Sequence, residues 1–194
     1  MLQGGEPRRL TTQTEHFEFQ PSFSRDGRSI VYTTFADEAL GAIRVVPADG
    51  AEGRVLTTEP GHYADPVFTP DGQEVVYEKG TGGGIVSPLW SNDPGIYRVP
   101  IAGGKPVKIT TRGTDPHFGK DGERLFLLAV AEEKERDRRA LISVDRHGGD
   151  ERTHLVSHWA TQFRVAPDGR SVAFIERFQV YVAPLVAAGR EIEI

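Results

Sequence analysis

Short apolar runs recur along this chain, and each follows a tight polar turn. Four apolar triplets come a few residues after an Asp-Gly pair: Ile30-Val31-Tyr32, Val75-Val76-Tyr77, Leu125-Phe126-Leu127 and Val172-Ala173-Phe174. Continuous apolar triplets are typical of strands covered on both faces, and Asp-Gly between apolar runs is a hairpin signal. No helical period of useful length occurs. The pattern therefore predicts an all-β chain of short strands joined by hairpin turns.

The Asp-Gly pairs mark a repeat. They begin at Asp26, Asp71, Asp121 and Asp168, at spacings of 45, 50 and 47 residues, which is the range of four-stranded propeller blades. A first strand precedes each pair at 20–23, 65–68, 115–118 and 162–165, and the triplets form the second. Third strands follow at 42–46, 95–99, 140–144 and 179–182. Gly-rich turns then lead to fourth strands at 55–57, 107–110 and 154–156. We predict one β-propeller domain over 1–194, with blades at 15–58, 60–111, 112–156 and 157–194.

The two ends of the chain leave the closure of the propeller open. Residues 4–12 match the turn and fourth strand of a blade, but no first three strands precede them. One possibility is that residues 4–12 form the fourth strand of the blade that begins at 157. The other is that residues 191–194 form that strand, and that residues 4–12 belong to a neighbouring blade outside this sequence. The chain is thus a fragment of a larger propeller or a small closed ring. An open arc would expose apolar faces, so we expect closure or association, for example a homodimer forming an eight-bladed ring.

Composition excludes several classes of protein. The net charge of −5 and pI near 5.7 argue against a nucleic-acid partner, which selects a basic face. No apolar run reaches the length of a membrane span, and the first ten residues lack the pattern of a signal peptide. The absence of cysteine removes disulfides and thiolate chemistry.

Two resemblances to known families add to this interpretation. The pattern Pro-x-Phe-Ser-x-Asp-Gly-x-x-Ile-Val-Tyr at 21–32 resembles the TolB-like propeller repeat, which covers essentially the whole chain. The amino-acid sequences of segments 15–21, 80–90 and 175–181 resemble the propeller region of large bacterial amidohydrolases. In that family a TolB-like propeller is joined to a metal-dependent hydrolase barrel. The His-x-His motif of that barrel has no counterpart here. This resemblance implies a periplasmic or extracytoplasmic parent protein with a covalently linked hydrolase domain.

Candidate chemistry lies where the blades begin their inner strands. Directly before the aligned Pro or Phe stand Gln20, Asp65, Asp115 and Gln162. We predict a ligand-binding site at the channel mouth, formed by seven residues: His16, Glu18, His62, Asp65, Asp115, His117 and His158. His16, His62 and His158 are the candidate ligands if a divalent metal is bound. A structural role is the alternative, because Asp or Gln before Pro often bonds to nearby backbone N–H groups.

The function expected from these features is non-catalytic. Motifs for a nucleophile elbow, a zinc protease or a phosphate loop are absent. We expect a scaffold, substrate-gating or protein-interaction module with no cofactor, or with one divalent metal. The alternatives are a propeller enzyme with metal and substrate at the channel mouth, and a stand-alone interaction protein of the bacterial envelope. Whether the chain is an enzyme stays open at this point.

Overall fold

The computed structural model describes residues 5–82, 91–131, 138–186 and 190–191, and these form strands and turns without a helix. The strands are β1 Phe17–Phe23, β2 Ser29–Ala36, β3 Leu40–Pro47, β4 Arg54–Val55, β5 His62–Phe68, β6 Glu74–Gly80, β7 Gly95–Pro100, β8 Val107–Thr110, β9 Thr114–Phe118, β10 Arg124–Val130, β11 Arg139–Asp145, β12 Arg152–Ser157, β13 Ala160–Val165, β14 Ser171–Glu176, β15 Gln179–Pro184 and β16 Arg190–Glu191. None of the described segments is a helix that is long and apolar enough to cross a membrane. Parts of the sequence singled out above, at 83–90 and 192–194, lie outside the described residues.

The strands form four antiparallel blades, which confirms the predicted all-β propeller. Strands β1–β4, β5–β8 and β9–β12 make the first three blades, each with its strands in chain order. Within the residues that the structure describes, blade four consists of β13, β14 and β15. The inner strands β1, β5, β9 and β13 contact one another in sequence, so the blades follow one another around a common axis.

The Asp-Gly turns are built as the sequence predicts. In the first hairpin, Gly27 has a φ of 69°, which glycine adopts at no steric cost. The Asp26 carboxylate accepts hydrogen bonds from the Ser24 hydroxyl at 2.7 Å and from the Arg28 backbone N–H at 3.0 Å. These bonds hold the loop closed and lower the pKa of Asp26 below its usual value, the Ser24 bond having the largest effect.

A repeated packing rule joins the blades. The middle residue of each apolar triplet faces the next blade, and the two flanking residues face the preceding one. Three cores result: Val31 with Val75 and Tyr77, Val76 with Leu125 and Leu127, and Phe126 with Val172 and Phe174. The cores hold the blades in a fixed order and thereby fix the positions of the inner strands.

Neither candidate for the missing strand of blade four is paired with β15 in the described residues. Strand β16, near the C-terminal end, pairs in parallel with β12 and so extends blade three. Residues 5–12 lie against blade one, where Leu10 packs on Ile30, Tyr32 and Val46. The guanidinium of Arg8 donates a hydrogen bond to the carbonyl of Ala48 at 3.2 Å in the same region.

Candidate functional site

The first three inner strands each contain a bulge directly before a proline. Gln20, Asp65 and Asp115 have φ values of 52°, 48° and 55°, and the pairing register of each strand slips there. A residue before proline normally stays extended, and a non-glycine residue in the left-handed region costs about 1–3 kcal/mol. Surrounding contacts must therefore hold these three residues in place.

These bulges direct polar side chains into a shared cavity of about 290 Å³, which we call the axial mouth. Residues from all four blades line it: Gln20, Pro21, Ser22, Asp65, Pro66, Val67, Asp115, Pro116, His117 and Arg164. The Gln20 amide donates to an Asp65 carboxylate oxygen at 2.7 Å, and the Asp65 backbone N–H donates back to the Gln20 side chain at 3.1 Å. On the other side, Arg164 forms an ion pair with Asp115. Polar contacts thus link blade one to two and blade three to four.

His117 is held in one tautomer. Its Nδ1 lies 3.1 Å from the backbone carbonyl oxygen of Asp115, which can only accept, so Nδ1 carries the proton. Its Nε2 faces the backbone N–H of Val165 at 3.4 Å. Burial lowers the pKa of His117, and the nearby charge of Arg164 acts in the same direction. His117 is therefore a neutral hydrogen-bonding group between blades three and four near pH 7.

Two carboxyl groups beside the cavity are poorly solvated. Burial, with a further contribution from the charge of Asp115, raises the pKa of Asp65. Glu78, on β6 opposite Ala64, has its pKa raised to about 7 by burial and by the charge of Asp65. A bound cation or a strong hydrogen-bond donor would stabilise the ionised form of both groups. Of the two groups, Asp65 lines the axial mouth and Glu78 does not, and the same lining contains the guanidinium of Arg164.

Replacing Glu78 with glutamine is expected to change how stability depends on pH. Because the pKa of Glu78 is higher in the folded protein, the folded state keeps a proton that the unfolded chain loses. The wild type should lose stability as pH rises from about 4.5 to 7, and Glu78→Gln should not show this loss. At pH 8 the variant should be about 1–2 kcal/mol more stable, since partial solvation reduces the full effect. Urea unfolding at pH 4 and pH 8 measures this, and identical pH profiles for both proteins would contradict it.

The structure brings together only some of the predicted site residues. Asp65, Asp115 and His117 line the axial mouth. Glu18 instead accepts a hydrogen bond from the Thr11 hydroxyl at 2.6 Å and lies on the outward face of blade one. The ring of His62 instead lies beside that of Phe35, with ring centroids 5.8 Å apart and planes tilted by 31°.

The other two histidines are also away from the cavity lining. The backbone N–H of His16 donates to the Gln13 side chain at 2.9 Å, and His158 is exposed. In the part of the chain that the structure describes, no group of three or more His, Asp or Glu side chains has the spacing of a metal site. The metal site on the three histidines stays a prediction.

Two residues at or beside the axial mouth, Arg164 and Glu78, were missed from the sequence. Arg164 directly follows Phe163, the residue that aligns with proline in the other blades. At the same position the other blades have Ser22, Val67 and His117. All four of these residues line the cavity, so the repeat alignment carried the signal. Gln162 aligns with Gln20, Asp65 and Asp115, but the bulge of blade four falls between Ala160 and Gln162 and leaves Gln162 outside the cavity lining. Glu78 lies in β6, outside the first-strand motif, and no sequence pattern indicates its burial.

A second pairing of chemical interest lies inside blade three. The Ser143 hydroxyl is 2.7 Å from His154 Nε2, and His154 Nδ1 donates to the Val186 carbonyl at 2.6 Å. Such a pair resembles a nucleophile with its base, but Ser143 is fully buried and also accepts hydrogen bonds from Arg124. Burial lowers the pKa of His154. Since no substrate reaches the hydroxyl, this network is structural.

Comparison with known proteins rests on sequence and on structure. No protein-family model matches the chain. The crystal structure of TolB from Acinetobacter baumannii superimposes with a TM-score of 0.69 at 17% identity, covering 88% of this chain and 41% of that one. The fold is a TolB-like β-propeller. The Tol-Pal system protein TolB of Francisella tularensis is 26% identical over 166 residues, or 85% of this chain.

Other propellers share the fold at lower identity. An oligogalacturonate lyase in complex with manganese superimposes with a TM-score of 0.66 at 14% identity, covering 87% of this chain and 50% of that one. This likeness concerns the fold alone. The matched part of this TolB-like chain corresponds to 36% of the length of the Francisella TolB protein.

Proposed function

We propose that this chain is a non-catalytic, protein-binding propeller module that holds a partner at the axial mouth. The observation that carries the proposal is the cavity itself, where four blades bring carboxylates, an imidazole and a guanidinium around one opening. The raised pKa values of Asp65 and Glu78 favour a basic side chain or amino terminus as the bound group. The similarity to Tol-Pal system proteins supports a protein as the partner.

The family resemblance supports a setting for this module. We propose that it belongs to a larger amidohydrolase-like protein, in which the blades restrict access to a linked hydrolase domain or dock a partner. The resemblance of 15–21, 80–90 and 175–181 to such propeller regions supports this parent. A periplasmic location is part of the same proposal, supported by the similarity to TolB.

Blocking the axial mouth should weaken partner binding. Ser22 lines the cavity, so Ser22→Arg would fill it and pair with the poorly solvated carboxylates. Quantitative pull-down from a bacterial envelope extract should show at least about a tenfold loss of the proteins that the wild type retains, a loss of about 1.4 kcal/mol in binding. Gln73→Arg adds the same charge on an exposed hairpin and should bind as the wild type does.

Two results would contradict the proposed function. One is equal retention of the same proteins by the wild type, Ser22→Arg and Gln73→Arg. The other is hydrolase or lyase turnover by the wild type that Ser22→Arg removes, because that would make the axial mouth an active site.

A further inference from the structure

The face of blade two that points toward blade one differs from the same face of blade three at four matched positions. Given as blade two and then blade three, the pairs are Tyr63 and Gly113, Tyr77 and Leu127, Lys79 and Ala129, and Tyr97 and Ile142. In blade three this face is closed, because Leu127, Ala129 and Ile142 belong to the core with blade two. A Cβ atom on Gly113 would lie only 2.9 Å from the Cβ of Leu127. Blade two therefore has three phenols and an ammonium group where blade three has tight apolar packing.

These four residues of blade two line an open cavity of about 730 Å³, which we call the tyrosine cavity. It lies against the segment 58–60, which connects blade one to blade two. The lining consists of Thr58, Glu59, Pro60, Tyr63, Tyr77, Lys79, Asn92, Asp93, Tyr97, Gly104, Lys105, Pro106 and Lys108. Sites for small molecules usually measure about 300–1,000 Å³, so this cavity is large enough for one. It shares no lining residue with the axial mouth.

The three tyrosine rings form a fixed aromatic wall. The ring of Tyr77 meets that of Tyr63 edge-on, with centroids 5.4 Å apart, and stacks on that of Tyr97 at 6.0 Å. The Tyr63 hydroxyl donates to the Glu59 carbonyl at 2.7 Å, and the Tyr97 hydroxyl donates to the Asp93 carbonyl at 2.6 Å. Burial raises the pKa of Tyr63 to about 12 and also raises the pKa values of Tyr77 and Tyr97, so all three phenols are protonated near pH 7. The wall thus offers rigid ring surfaces.

Two buried polar groups of this cavity have donors to spare. Tyr77 is 1% exposed, and its hydroxyl forms no hydrogen bond with any residue that the structure describes. Lys79 is 5% exposed and carries three N–H donors, of which one is directed at a Glu59 carboxylate oxygen 3.0 Å away. The Lys79 ammonium also lies 5.7 Å from the centroid of the Tyr97 ring. Because buried donors without acceptors cost free energy, acceptor oxygens of a ligand would be stabilised here.

The charges of the lining favour a ligand with a single negative charge. Three ammonium groups, those of Lys79, Lys105 and Lys108, accompany two carboxylates, those of Glu59 and Asp93, which leaves one net positive charge. Lys108 is already occupied, because it forms an ion pair with Asp93. Lys79 is the more deeply buried ammonium, and its partner Glu59 has a side chain that is 73% exposed. A monoanion that reaches Lys79 would balance the charge of the lining.

We propose that the tyrosine cavity binds a small monocarboxylate that carries a ring. The carboxylate oxygens accept hydrogen bonds from the Tyr77 hydroxyl and the Lys79 ammonium, and the ring lies against the tyrosine wall. Two kinds of ring fit this description, an aromatic ring and the sugar ring of a uronic acid, and both present the same carboxylate. This site is separate from the axial mouth and adds a small-molecule ligand to a module proposed to bind protein.

The first test is calorimetric titration of the 194-residue chain with benzoate, phenylacetate and glucuronate. At least one of them should bind saturably, with one site per chain and a Kd of about 1 mM or lower. Benzamide has the shape of benzoate without its charge and should bind at least about tenfold more weakly than benzoate. Tighter binding of benzoate than of glucuronate identifies an aromatic ring as the preferred group, and the reverse order identifies a sugar ring.

Two variants place the ligand in the cavity. Tyr77→Phe removes a hydroxyl but keeps the ring, and Lys79→Met removes the ammonium but keeps the length of the side chain. Each should weaken binding of the best carboxylate by at least about tenfold. The matched controls are Tyr32→Phe, at the position of Tyr77 in blade one, and Lys120→Met, on an exposed hairpin of blade three. Both controls should bind as the wild type does, and circular dichroism melting should show that all four variants are folded.

Three results would overturn the proposal. The first is the absence of saturable binding for all three carboxylates. The second is tighter binding of inorganic phosphate than of any of them, because the site would then recognise a bare anion. The third is equal binding by Tyr77→Phe and Tyr32→Phe. Ser22→Arg, which fills the axial mouth, should bind the carboxylate as the wild type does, so this proposal and the proposed protein-binding function fail independently.

Discussion

Phe163→Ala is expected to destabilise the protein by about 3–5 kcal/mol, the usual cost of removing a buried aromatic side chain from a core. Phe163 is 1% exposed and packs between blades three and four, with its ring 5.7 Å from that of Phe174. It stands where the other three blades have proline, so it supplies core volume that the repeat does not otherwise provide at this position. Denaturant unfolding at a fixed protein concentration measures the change.

Trp159→Ala is the control for this prediction. Trp159 lies just before β13 and is a larger side chain than Phe163, but more than half of it is exposed. Its replacement should cost less than about 1 kcal/mol, as is usual for surface positions. Equal losses for the two variants would show that Phe163 does not fill the core between the last two blades.

Gly148→Ala is expected to lower the free energy of unfolding by about 3–5 kcal/mol, because the backbone at this position does not accommodate a Cβ atom. Gly148 turns the chain between β11 and β12 with a φ of 86°, and a Cβ there would overlap the backbone carbonyl oxygen of Ile109. Ile109 belongs to β8, so the overlap would push the outer strands of blades two and three apart. Thermal unfolding of the variant measures the loss.

Gly27→Ala separates the two contributions to that loss. Gly27 has a φ of 69°, but a Cβ there would meet no atom within 4 Å. The variant should lose only about 1–2 kcal/mol, the cost of holding alanine in the left-handed region. A loss as large as that of Gly148→Ala would mean that backbone conformation, and not the contact with Ile109, accounts for the whole effect.

The propeller architecture was predictable because four copies of the repeat show the same order of strands and turns. Asp-Gly pairs and apolar triplets carry local information on turns and strands, so an alignment of four copies defines the blades. Closure was not predictable in the same way. Residues 4–12 carry the signal of a fourth strand, but the sequence does not say which three strands they join.

The candidate site was predictable only in part, and the reason is the geometry of the bulge. Asp65, Asp115 and His117 lie within three residues of the aligned proline and reach the cavity with it. His16, His62 and His158 stand four or five residues before the aligned position, at the start of the inner strand or before it, and do not line the cavity. Glu78 comes from the neighbouring strand, and its raised pKa depends on burial that only the folded chain creates.

Partner retention by the Ser22→Arg variant tests most directly the central claim that this chain binds protein at the axial mouth. In a quantitative pull-down from a bacterial envelope extract, Ser22→Arg should retain at least about tenfold less of the proteins that the wild type retains. Gln73→Arg, which adds the same charge on an exposed hairpin, should retain them as the wild type does. Equal retention by all three proteins would contradict the claim.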